Sequence, residues 1–281
     1  MMRFTARLLL LASCLAIAFG VSAKEPLRVG IAPDYPPLAY RDGGELTGIE
    51  VAAAEVLGQQ LDRKIKYVEK DFSALIPALQ AGEIDIIMSG LSITPERSQQ
   101  VQFSKPYLQA GQIPIIRFAD AARFSFKGAI FRPGVSVAVV QGSTGELFAR
   151  KQLQQAKVVS AASISEAFSL LKGGQVDFLL HDAPTSWSLA NDKRYEDLIS
   201  LNHALTEEQL GWAVRKDNNA LLQDVNTQLD WMQKNGMLRA IIRKWIPVTV
   251  EVADTQPRSQ PATSSSMKTR APQGASTTNP R

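Results

Sequence analysis

The stretch Ser89-Gly90-Leu91-Ser92-Ile93-Thr94-Pro95-Glu96-Arg97 sets hydroxyls, a glutamate and an arginine just past an apolar run. It follows an apolar run, Ile84 to Met88, that reads as a buried strand. It then opens a helix: Thr94 is a good N-cap, Pro95 suits the first helical position and Glu96 favours the first turn. Arg97 fits less well, because a cation in the first turn faces the positive end of the helix dipole, at a cost of up to about 1 kcal/mol unless an anion offsets it. Free backbone N–H groups and a guanidinium at a strand-to-helix junction make a site for a carboxylate. A surface arginine paired with a neighbouring glutamate is the plain alternative, and this stretch alone does not separate the two.

Other chemistries have little to work with. Cys14 is the only cysteine and lies near the N-terminus, so the mature chain is expected to form no disulfide and no thiolate metal site. His181 and His203 are the only histidines, which argues against zinc, and no cofactor is expected. His181 and Asp182 are neighbours in sequence, and no nucleophile elbow accompanies them, so a Ser-His-Asp hydrolase is a weak reading.

The elements that would hold Arg97 alternate between strand and helix. Leu27–Ile31 reads as a strand, the region from about Ile49 to Leu61 as a helix, Lys64–Val68 as a strand, and Phe72–Gln80 as a helix ended by Gly82. This alternation argues for a parallel α/β sheet. The plan then recurs. Gly82, Asp85 and Ser89-Gly90 are spaced as are Gly174, Asp177 and His181-Asp182, each set threaded by an apolar run. Val137–Val140 likewise precedes Gln141-Gly142-Ser143-Thr144-Gly145, as Val29–Ile31 precedes its own loop. Two lobes of one architecture would place polar residues past the carboxyl ends of their strands, where open α/β sheets bind ligands, and would face each other across a cleft. Asp85 and Asp177 read as structural turn residues; Thr144 reads as a helix N-cap whether or not it touches ligand, and Asp182 as a ligand group or the cap of a turn. Leu210–Val214 should return to the first lobe as a strand, followed by helices Ala220–Trp231 and Met237–Trp245.

Both ends differ from this middle. Residues 1–23 have a basic start at Arg3 and Arg7, an apolar stretch Leu8–Phe19 and a small-residue site Val21-Ser22-Ala23, so a signal peptide cleaved after Ala23 is expected. Leu11-Ala12-Ser13-Cys14 resembles a lipoprotein box, but the apolar run before Cys14 is short for one, and cleavage after Ala23 is favoured. From about Val248 to Arg281 the chain turns to Pro, Ser, Thr, Gln and Ala, a composition that reads as a disordered tail. The chain carries a formal net charge of +4, but both ends are basic and the part between them is close to neutral. Nucleic acid is therefore not an expected partner.

With these residues in view, the chain resembles the bacterial extracellular solute-binding proteins of family 3, the periplasmic polar amino-acid-binding proteins of ABC transporters. The resemblance runs from Leu27 to Ile246 and rests on an ordered series: Tyr35-Pro36-Pro37, Leu46-Thr47-Gly48-Ile49-Glu50-Val51, Leu75-Ile76-Pro77-Ala78-Leu79, Ile93 to Arg97, Phe103-Ser104-Lys105-Pro106-Tyr107 and Ala213-Val214-Arg215-Lys216. It implies the type II periplasmic-binding fold: a discontinuous lobe of residues 24–110 and 205–247, a second lobe of 111–204, and two crossings near Leu108–Gln112 and Asn202–Glu207. It implies a monomer that captures an amino acid in the interlobe cleft by hinge closure and delivers it to an ABC permease. Carried over position by position, Arg97 and Ser92 match residues that hold the ligand's α-carboxylate, with Thr144 donating from the second lobe. Asp182 matches the acceptor of the α-ammonium, helped by Ser89 and Gly90, and Tyr35 and Phe72 match aromatics that sandwich the ligand side chain.

Two departures bear on the ligand. Family members that take basic amino acids carry an acid at the position of Ala32, which favours a neutral or polar ligand here, although Asp34 lies two residues on. The family also includes periplasmic cyclohexadienyl dehydratases, and Arg132-Pro133-Gly134-Val135 and Phe148-Ala149-Arg150 look like their second lobe. Their pattern places a glutamate three residues after the aspartate matched by Asp182; here that position is Thr185, which argues for binding rather than catalysis.

Overall fold

The computed structural model describes residues 24–189 and 192–246, so the expected leader and tail lie outside the described residues. Two five-stranded sheets organise the described chain. The first has the order Ile65–Glu69, Leu27–Ile31, Ile86–Ile87, Ala213–Val214, Gln102–Phe103; the second has Lys157–Ala161, Ser136–Val140, Phe178–Asp182, Gln112–Arg117, Leu198–Ser200. In each, the first three strands run parallel and the fourth is antiparallel to both neighbours. Central parallel strands are covered on both faces, which is why they read as unbroken apolar runs; Ile84, Ile86, Ile87, Met88 and Phe178 to Leu180 are fully buried.

The expected spacing between the halves is a physical repeat. Gly82 and Gly174 both adopt a left-handed φ, 73° and 68°. Asp85 accepts the Arg28 backbone N–H at 2.9 Å and returns its own N–H to the Arg28 carbonyl at 2.8 Å. Asp177 does the same with Ser136, at 2.7 and 3.0 Å. Both aspartates are therefore braces at the starts of strands, and arginines (Arg28 and Arg123) depress both carboxyl pKa values against the opposing effect of burial.

Helix Ile49–Leu61 has the expected bounds. Its buried face packs with helices Asn219–Lys234 and Met237–Trp245 through Ile49, Ala53, Leu57, Val225, Leu229 and Leu238. Gly48, at φ 123°, permits its entry: a Cβ there would lie 2.3 Å from the Leu38 carbonyl oxygen. Elsewhere the elements are shorter or displaced. The strand expected at 64–68 is Ile65–Glu69, and the expected Ile84–Met88 strand pairs only at Ile86–Ile87. The helix expected from Phe72 opens as a 3-10 turn, Phe72–Ala74, before Leu75–Gln80. Asn218 caps the helix expected from Ala220, which runs instead over Asn219–Lys234.

The stretch Leu210–Val214 is divided rather than continuous. Glu208–Leu210 pairs with Leu108–Ala110 as an antiparallel ribbon, and Ala213–Val214 then joins the first sheet. The ribbon strands connect Gln102–Phe103 to Gln112–Arg117 in one direction and Leu198–Ser200 to Ala213–Val214 in the other, so the chain crosses between sheets here. The second crossing strand lies just C-terminal to the segment expected from sequence.

Candidate functional site

The loops that leave the carboxyl ends of both sheets meet. A cavity of about 20 Å³ lies between them, lined by Ala32, Asp34, Tyr35 and Phe72 from one side and Val140, Ser143, Ile164, His181 and Asp182 from the other. That is room for about one water molecule, so the two sides are drawn together. Side chains close the gap. The Tyr35 hydroxyl donates to Asp182 Oδ2, Asp34 Oδ2 accepts the Ile164 backbone N–H at 3.0 Å, and the Thr185 hydroxyl donates to the Pro36 carbonyl at 3.1 Å.

Thr94 caps its turn as expected, accepting the Arg97 backbone N–H at 3.2 Å. The helix it opens, Pro95–Ser98, is only four residues long, so dipole effects there are small and burial governs Arg97. The Arg97 guanidinium donates to the Ser92 carbonyl at 2.9 Å and to the Gly142 carbonyl, from the facing side, at 3.0 Å. Its carbon stands 5.6 Å from the centre of the Phe72 ring. Arg97 is buried and takes part in none of the ion pairs among the described residues, so the alternative of a surface arginine paired with a glutamate fails. Burial lowers its pKa, while Asp182 and Glu208 act to raise it.

Asp182 ends strand Phe178–Asp182 and is buried. It does not cap the next turn; its two oxygens accept from Tyr35 and from the Gln112 side-chain amide. Burial first, then the Glu208 charge, push its carboxyl up to about 7, against the hydrogen bonds from Tyr35 and Gln112 and the charge of Arg97. His181 beside it packs edge-on against Tyr35, and burial holds its imidazole neutral, pushed down to about 3.

The remaining expected residues adjoin this cluster. Ser89 is buried, and its hydroxyl accepts the Ala32 backbone N–H at 2.9 Å. Gly90, at φ 65°, lies against Tyr35 and Leu38, where a Cβ would approach both to 2.6 Å. Ser92 is buried and forms an isolated bridge with Leu210 on the crossing ribbon. Thr144 is not the N-cap of its helix: Ser143 is, accepting the Glu146 N–H at 3.1 Å. The Ser143 side chain already points at the free amides, and Thr144 falls within the helix Thr144–Gln152. The Thr144 hydroxyl is thereby released to accept from Gln112 at 3.0 Å and to donate to Glu208 at 2.7 Å.

Gln112, Glu208 and Glu50 were not expected from sequence. Gln112 is the register partner of Asp182, a pairing visible only once the strand order is known. Glu208 lies on the crossing ribbon. Glu50 is fully buried and accepts from the Gly90 N–H at 2.7 Å, the Trp212 indole at 2.8 Å and the Tyr107 hydroxyl, which fixes the Gly90 loop.

Two five-stranded sheets, a crossing ribbon and a charged cleft at the strand ends define a type II periplasmic-binding fold. The chain belongs to the bacterial extracellular solute-binding proteins, family 3, which it matches over residues 27–248. It is 30% identical over 249 residues to ABC transporter arginine-binding protein 1 of Escherichia coli (strain K12), covering 86% of this chain and 99% of that one. It is 35% identical over 158 residues to the cyclohexadienyl dehydratase of Pseudomonas aeruginosa, covering 56% of this chain and 59% of that one. Among solved structures, it is similar to an ancestral amino acid-binding protein described as a precursor of cyclohexadienyl dehydratase, with TM-score 0.74, 35% identity, and 79% and 95% of the two chains covered.

Proposed function

We propose that this protein captures one amino acid between its lobes and delivers it to an ABC permease. The observation that carries the reading is a buried pair of opposite charges on facing sides of one cleft: Arg97, without a carboxylate partner among the described residues, and Asp182. An α-amino acid supplies the complement of both. Its carboxylate would take the guanidinium, with Ser92 and Thr144 beside it. Its ammonium would take Asp182, with Ser89 and Gly90 near, in place of the Tyr35 hydroxyl. Charge-assisted bonds of this kind are worth about 1.5–3 kcal/mol each. Ligand contacts from both sides favour the shut state, so capture and closure are one equilibrium.

The side chain would lie between Tyr35 and Phe72, against Ala32, Val140 and Ile164. Those walls are largely apolar, and the one acid among them away from Asp182, Asp34, is engaged with the Ile164 N–H. A neutral or polar amino acid fits this environment better than a basic one. The relative named for arginine keeps the basic class in the test, since release of Asp34 from Ile164 would free a carboxylate for a cationic side chain. The protein works as an exported monomer, with the leader removed after Ala23, and domains of 24–110 with 205–247 and of 111–204.

A second reading is a cyclohexadienyl dehydratase, favoured by the Asp182 carboxyl near 7, a value suited to proton transfer at neutral pH. Thr185, at the position expected to bear that family's glutamate, instead donates its hydroxyl to the Pro36 carbonyl. Thermal melts of refolded mature protein with the common L-amino acids, prephenate and arogenate separate the readings. A concentration-dependent rise with one amino acid and no product supports capture. Conversion of prephenate or arogenate replaces it with the enzyme, and a response to arginine but not to citrulline or glutamine transfers the ligand to the basic class.

A further inference from the structure

The ammonium end of the cleft is tied to the crossing ribbon by a continuous chain of hydrogen bonds. The Gln112 amide donates both to Asp182 Oδ1 and to the Thr144 hydroxyl. Thr144 donates to Glu208 Oε2, and Thr206 donates to Glu208 Oε1 at 2.7 Å. The Thr206 hydroxyl in turn accepts the Gln112 backbone N–H at 2.9 Å, which closes the loop on Gln112. Gly145 leaves the space this needs: a Cβ there would stand 2.6 Å from Gln112 Oε1.

We propose that Glu208, on the crossing ribbon, is a positioning residue that holds the Thr144–Gln112–Asp182 chain and sets a second negative charge behind the group that receives the ligand's ammonium. The proposal rests on the capture reading for the role of Asp182, but its geometry does not. Two hydroxyls satisfy Glu208, so its charge is held in place without a salt bridge among the described residues. The groups whose charges act on Asp182 are Arg97, from the helix Pro95–Ser98, and Glu208 from the ribbon; Tyr35 faces it as a neutral hydroxyl. Of these only Glu208 is a carboxylate, and it acts to keep a proton on Asp182. The ribbon therefore carries both the bending element and the charge that tunes the site, so opening the hinge alters the affinity of Asp182 for a proton and for an ammonium together.

The test is made on the ligand-free protein, labelled with 13C at aspartate carboxyls and titrated by NMR, with Asp182→Asn assigning the resonance. In Glu208→Gln, which keeps the side chain's shape and one of its two acceptor oxygens but removes the charge, the Asp182 midpoint should fall by roughly one pH unit. Glu208→Asp should return most of that shift. An unchanged midpoint in Glu208→Gln, or an equal drop in Glu208→Asp, overturns the proposal. Because no ligand is present, failure of the amino-acid panel would overturn the capture reading without touching this result.

Discussion

Tyr35 and Asp182 are 147 residues apart in the chain, yet the phenol of one donates to the carboxylate of the other across the cleft. The bond occupies the acceptor that an incoming ammonium would need. On the capture reading, ligand entry would replace a neutral hydroxyl by a cation at that oxygen, adding attraction between full charges.

Removing the guanidinium tests the other end of the ligand. Arg97→Ala should weaken binding of an α-carboxylate ligand by tenfold or more in calorimetric titration, while Arg97→Lys, lacking the planar fork, should fall between. Affinity equal to wild type in Arg97→Ala would sink the capture reading.

Acidity should matter on the ammonium side. Burial and Glu208 place the Asp182 carboxyl near 7 before ligand arrives, so protons compete with the ammonium below that point. Affinity is expected to be level from about pH 8 until the ligand's own ammonium begins to lose its proton, and to drop by about tenfold per unit as pH falls below 7. Asp182→Asn should bind weakly with no such slope.

The same carboxyl should cost stability. Its folded-state pKa is raised from 3.8 to about 7, so the stability it contributes is present below 3.8 and lost as pH rises to about 7. Ligand-free Asp182→Asn should therefore be more stable than wild type at pH 8, by about 1–3 kcal/mol in denaturant unfolding. The gap should narrow toward pH 4; a less stable variant at pH 8 would contradict the burial argument.

Glu50 is a buried acceptor for three donors on three different segments. Glu50→Ala would orphan all three and should destabilise the fold by about 3–5 kcal/mol, whereas Glu50→Gln, which retains an acceptor, should lose clearly less. Chemical denaturation at neutral pH distinguishes them.

Much of the scaffold was legible because local chemistry agrees with global form. Gly48 and the apolar positions of Ile49–Leu61 mark that helix, and the spacing of Gly82 and Asp85 against Gly174 and Asp177 announced the doubled plan. Short strands blurred where pairing, rather than composition, decides length, as at Ile86–Ile87 and at the divided stretch from Leu210 to Val214. In the cleft, Asp182 stood out by its place at a strand end and Arg97 by its place in the first turn of a short helix. Gln112 and Glu208 were not, because each acquires its role from a cross-strand or cross-lobe neighbour. The N-cap at Ser143 rather than Thr144 shows how finely one residue of register decides which hydroxyl is free for other work.

The paired braces at Asp85 and Asp177 carry a consequence for how such a molecule can change. Both grip the amino-terminal ends of their strands, opposite the loops that meet at the cleft. Each half thus has an anchored root and a variable tip. On the capture reading, substitutions at the tips, such as at Ala32 or Thr185, would alter the cleft while the roots keep the architecture intact.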